Sequence, residues 1–230
     1  MEKERSPFSF DHWVIFVFDH PLPAPGAPNW YHDPDEDSAW WDPSDSPETT
    51  VAHLTVLFEN APSVLAPFSD AQVRQGLWFL VSNSCSDHMF ALLNPSVPWP
   101  DRKRCISSMF TLFERFFAPR CSSQLSHLDE AGANPLNGIC YMWWDILPIY
   151  GKPEELERRE VDAACLEVMR LTLDLDSDAC RESALHGLGH WHLYYPAQVE
   201  ALIESFLDRH PDLRSGLQAY ARAARRGRVL

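Results

Sequence analysis

Apolar residues recur at steps of three and four along most of this chain. Val73, Leu77, Leu80 and Val81 follow Ser69, and Cys180, Ala184, Leu188 and Trp191 follow Ser177. Pro100 and Asp101 precede Ile106, Met109, Phe110, Phe113 and Phe117. Such spacing lines the apolar side chains along one face of a helix. The starts are marked as well. Ser69 with Gln72 three residues on forms a capping box, Ser177 is a second cap, and Ser9 stands before Phe10, Trp13, Val14 and Val17. The run WVIFVF also fits a buried strand, and the serine favours a helix over 10–18. Proline suits the first turn of a helix, so Pro153, Pro196 and Pro211 open three more, while Pro119 closes the one that begins at 100. Shorter helices are expected over 50–59, 85–93 and 137–147, the last capped by Asn137. The pattern predicts an all-α protein of about ten helices in one domain spanning 1–230.

One stretch breaks the pattern. Residues 21–49 contain seven prolines, which exclude a continuous helix or central strand. Disordered segments are poor in aromatic residues, yet this one carries Trp30, Tyr31, Trp40 and Trp41. A long acidic loop docked through those rings is therefore expected. Trp143 and Trp144 cannot both face one side of a helix, so one of them needs cover from another element. That cover is either the aromatic loop, which itself needs a docking surface, or a partner.

Charge changes the picture by its distribution. The formal net charge is −14, of which residues 1–60 carry −10, with 101–120 at +3 and 181–230 at +2. An acidic surface repels phosphate, so nucleic-acid binding is disfavoured despite Arg222, Arg225, Arg226 and Arg228. Those arginines suit the negative end of a helix dipole, and a basic protein partner complements the acidic front. No apolar run approaches the roughly 20 residues of a membrane helix, and the N-terminal residues do not read as a secretory signal, so a cytoplasmic location is expected. The six cysteines stand 15 to 25 residues apart with no C-x-x-C pair, which reads as buried thiols.

Helix starts near 69, 100, 137 and 177 suggest paired helices stacked in series. Cys180-Arg181, Ala184 and Gly187-Leu188-Gly189 resemble the inner helix of a HEAT-like repeat, and Val73-Arg74, Leu77 and Leu80-Val81 form a looser copy. The resemblance covers two helices. It implies an α-α superhelix in which small residues admit the neighbouring helix, and it brings no catalytic residues with it.

The stretch ESALHGLGHWH, 182–192, concentrates the candidate chemistry. His186 and His190 are four apart and can share one metal ion. Glu182 lies about 12 Å along the axis from His190 and cannot join them, so a further ligand must come from elsewhere, with His127, Asp129 and Glu130 as candidates. Gly-Leu-Gly at 187–189 replaces the glutamate of a zincin motif, and no dinucleotide, Walker, nucleophile-elbow or kinase signature is present. Asp33, Asp35 and Asp37 have calcium-loop spacing, but Ser38 and Ser44 stand where glycine and glutamate are required. Two readings follow. The first is a non-enzymatic protein-binding module without cofactor, of the immunity or inhibitor type, anchored by Trp30, Tyr31, Trp40, Trp41 and Trp144. The alternative is a metal-dependent enzyme with one divalent ion such as zinc on His186, His190 and His127.

Overall fold

The computed structural model describes residues 9–32 and 46–229, which form helices and no strand. In chain order these are α1 (Phe10–Phe18), α2 (Pro47–Val64), α3 (Asp70–Val81), α4 (Trp99–Leu112), the single turn α5 (Ala118–Arg120), α6 (Pro135–Ile146), α7 (Arg159–Leu173), α8 (Asp178–Trp191), α9 (Pro196–Arg209) and α10 (Ser215–Ala224). Short 3-10 turns lie between them, including His88–Leu93 where an α-helix was expected.

The caps explain the starts. Ser69 and Gln72 make both halves of the capping box on α3, Ser9 accepts from His12 N, and Ser177 accepts from Cys180 N. Several boundaries differ from the sequence expectation. Asn134 caps α6 by accepting from Leu136 N, while Asn137 is buried and ties down Ser122 and Gln124 instead. The helix begun by α4 does not stop before Pro119. It passes through a π-helical turn, Phe113–Phe117, into α5, and the shifted register lets the proline sit at the head of a new turn. Helices α7 and α10 begin after Pro153 and Pro211, by six and four residues, because turns intervene.

Helices α1, α3, α6, α8 and α10 lie side by side in that order as one row, and α2, α4 and α7 form a second; α7 also packs on α8, and α9 touches both α8 and α10. The core runs between the rows. It holds Trp13, Phe58, Phe113, Phe117, Trp143 and Trp191, all fully buried. No described helix is long and apolar enough to cross a membrane.

Part of the proline-rich segment is ordered against this body. Trp30 stacks on His20 with centroids 3.8 Å apart and meets Phe79 at 4.7 Å, and Tyr31 stacks on Phe79 at 5.7 Å. The segment is not irregular throughout, since Trp30–His32 make a 3-10 turn and α2 begins at Pro47. Trp40, Trp41 and the Asp33, Asp35, Asp37 group lie outside the described residues.

Candidate functional site

Helix α8 has neighbours on several sides, and this decides where its polar residues go. A helical wheel places Glu182, His186 and His190 opposite the apolar face. The structure buries Glu182 and His186 to 0% and 1% exposure, because α10 and the 125–130 loop cover that side. Only His190 reaches the surface, its side chain 38% exposed.

The packing of α6 against α8 turns on Gly187. A Cβ there would lie 2.6 Å from Cβ and Cγ of Trp144 and 2.8 Å from Sδ of Met169, so only glycine admits the indole. Trp144 is buried by this contact and stacks on Phe113, while Trp143 fills the space among Phe58, Phe113 and Phe117. Both tryptophans thus face protein, with cover from α2, α8 and the π-helical turn. Neither Trp30 nor Tyr31 supplies it.

The residue after Trp144 is Asp145, and the close approach brings its carboxylate to α8. Asp145 Oδ1 lies 3.4 Å from His190 Nε2, and His190 Nε2 lies 3.2 Å from His186 Nε2. One ligand atom from each of the three residues falls within 4.8 Å of the others. Zinc bonds of about 2.0–2.1 Å place tetrahedral ligand atoms about 3.3 Å apart, which the two separations from His190 match, while the Asp145–His186 pair lies within 4.8 Å.

Hydrogen bonding fixes the tautomers. His186 Nδ1 is 2.6 Å from the Tyr220 hydroxyl, which is 3.1 Å from that of Tyr141. If His186 carried its proton on Nε2, His190 would turn a lone pair toward the Asp145 carboxylate. The opposite arrangement satisfies every group: His190 Nε2–H points at Asp145 and His186, and His186 Nδ1–H donates to Tyr220. Tyr220 O–H then donates to Tyr141. Burial first, then interaction with His190 and His127, push the His186 pKa down to about 3, so the ring stays neutral. Burial also raises the pKa values of Tyr220 and Tyr141, so both hydroxyls keep their protons.

Comparison with family models, with curated proteins and with solved structures finds no match. The geometry therefore carries the argument by itself.

His127 is close to the site without belonging to its ligand set. Its Nδ1 is 2.5 Å from Glu182 Oε1, and the same carboxylate accepts from the backbone N–H groups of Ser126 and His127. The ring stacks on Tyr220 with centroids 4.0 Å apart. Asp129 ends that 3-10 turn in a left-handed conformation, φ 49°, and its charge helps raise the Tyr141 pKa. Glu130 bonds Leu125 N and Arg214. Of the sequence candidates, then, His186 and His190 converge, while His127 and Glu130 are committed elsewhere. Sequence reasoning missed Asp145, Tyr141 and Tyr220. The signal for Asp145 was its place beside a tryptophan that needs a glycine in order to dock.

Proposed function

We propose that this chain is a metal-dependent protein that binds one divalent first-row transition ion through Asp145, His186 and His190. A HEAT-like α-α superhelix is the scaffold we assign to it; two rows of helices, each touching its row neighbours, support that assignment. The observation that carries the function is the convergence of two Nε2 atoms and one carboxylate oxygen at separations of 3.2 and 3.4 Å. Imidazole donors suit zinc or ferrous iron, whereas magnesium and calcium prefer all-oxygen sites. Asp145 and His190 are both more than a third exposed, which leaves the outer coordination positions to solvent. Held by Asp145, His186 and His190, such an ion would supply Lewis-acid chemistry at this surface.

An interaction role anchored by aromatic rings draws less support, since Tyr31 and Trp144 belong to the core and Trp30 is packed on His20 and Phe79. The test is elemental analysis and calorimetric titration of untagged, chelator-treated protein with zinc. One equivalent should bind to the wild type and be lost in His190→Ala and Asp145→Ala, with circular dichroism unchanged. Failure of the wild type to take up stoichiometric metal, or retention of full affinity by both variants, refutes the proposal.

A further inference from the structure

The ligand His186 sits inside a closed bracket whose two ends lie on the same helix. Glu182 and His186 are one turn apart on α8. From Glu182 the connection runs through three hydrogen bonds to Ser126 and His127, at 3.0, 2.9 and 2.5 Å. His127 then stacks face to face on the Tyr220 ring of α10, 4.0 Å away with the planes 19° apart. Tyr220 returns to α8 through its hydroxyl at 2.6 Å from His186 Nδ1. Both ends of the bracket are buried, and Leu217, Ala221 and Ala224 seat the rest of α10. The neighbouring contacts are of the same kind, because Val229 covers Gly189 and Gly227 approaches His192.

A histidine that binds metal through one nitrogen almost always donates its other N–H to a fixed acceptor, which sets the tautomer and aims the ring. Tyr220 is placed to be that acceptor, and its own proton has a destination in Tyr141. Resting on the metal reading above, we infer that Tyr220 is the positioning residue of the site, and that docking of α10 regulates its metal affinity. Tyr220 never touches the ion; it holds His186 as the Nδ1–H form, with Nε2 directed at His190 and Asp145. The consequence is reciprocal. Whatever factor docking of α10 contributes to metal affinity, bound metal must return to that docking.

Tyr220→Phe isolates the hydroxyl, because it keeps the ring, the stack on His127 and the packing. Nitrogen-15 NMR of the metal-free protein should show His186 with a protonated Nδ1 in the wild type and a mixture of tautomers in the variant. Zinc affinity, measured by chelator competition, should fall by about 10- to 100-fold in Tyr220→Phe while circular dichroism shows the fold retained. Saturating zinc should slow amide exchange across 215–224 in the wild type. A wild-type His186 protonated on Nε2, equal zinc affinity in both proteins, or exchange in α10 that ignores zinc each overturns the inference. Absence of zinc binding together with the expected tautomers overturns the metal reading and supports the hydrogen-bond bracket, so the two failures are separable.

Discussion

Gly187→Ala should loosen the contact between α6 and α8. Two effects oppose each other. Alanine is favoured over glycine in a helix interior by about 1 kcal/mol. Against this, the new methyl would lie 2.6 Å from Cβ and Cγ of Trp144 and 2.8 Å from Sδ of Met169. Methionine can swing aside. Trp144 Cβ is one bond from the α6 main chain, so relief requires moving the helix or turning a buried indole off its rotamer. Overpacking a tight interior costs typically 1–3 kcal/mol, and a contact with so little freedom belongs at the upper end. The net expectation is a loss of about 2 kcal/mol, or about 4–8 °C in Tm for a chain of this size.

Two other glycines serve as controls. Nothing lies within 4 Å of a Cβ built on Gly138 of α6, so Gly138→Ala should stabilise by close to the full helix propensity, about 1 kcal/mol. The three atoms nearest a Cβ on Gly189 all belong to the Val229 side chain, the first 2.5 Å away, near the end of the described chain, where the neighbour can move. That variant should be near neutral. Urea unfolding of the three proteins at pH 7 is the assay. If Gly187→Ala is as stable as Gly138→Ala, the close approach of α6 to α8 is not what this glycine serves.

Asp162 is buried and bonds Lys152 N at 2.6 Å and the Tyr195 hydroxyl at 2.7 Å, with Arg158 at 3.6 Å; Asp162→Ala should lower stability by about 3 kcal/mol, read by thermal unfolding. His53 lies among the Phe10 and Trp13 rings, and burial lowers its pKa. The unfolded chain therefore binds a proton that the folded one resists, so this contribution is intact above about pH 6.5 and lost on acidification, by at most about 1.4 kcal/mol per pH unit. His53→Gln should remove that part of the difference between urea midpoints at pH 7 and pH 5.5; identical pH dependence would refute it. Burial pushes the Cys105 thiol up to about 12 and raises Cys140 and Cys165 as well, whereas Cys85 and Cys121 are partly exposed. Iodoacetamide at pH 7.5 should therefore modify the latter two first, with the buried thiols reacting only on unfolding, as peptide mass spectrometry will show.

The helices were legible because their signals are local. Ser9, Ser69 with Gln72, and Ser177 act within three residues of themselves, and each caps the helix it announces. At Asn137 a long-range demand displaced the local one, since it holds the 122–124 segment instead of capping. The site was half legible for the same reason. An i,i+4 histidine pair is visible on one helix, but its third member stands 41 residues earlier, and which residue of α6 faces His190 depends on the register between two helices. The wheel separates Glu182 and His186 from the apolar face but cannot say what covers them, which is α10 and the 125–130 loop. His127 was chosen as a ligand by residue type. Its ring instead stacks on Tyr220, outside the group formed by Asp145, His186 and His190.

Packing and chemistry on α8 are consequently one arrangement. Gly187 sets how near α6 comes, and Asp145 follows Trp144 in sequence, so the 3.4 Å separation of carboxylate and imidazole inherits its value from a glycine contact. Tyr220 aims the other imidazole from the opposite side. A substitution that moves α6 must then change affinity as well as stability. Gly187→Ala should weaken zinc binding by on the order of tenfold or more, comparable to losing an outer-sphere partner, although the residue touches no ligand atom. Gly138→Ala alters stability on the same helix without moving the seam, and zinc affinity should stay as in the wild type. A protein in which Gly187→Ala loses stability and keeps its affinity would separate the two, and Asp145 would then owe its position to something other than the approach of α6.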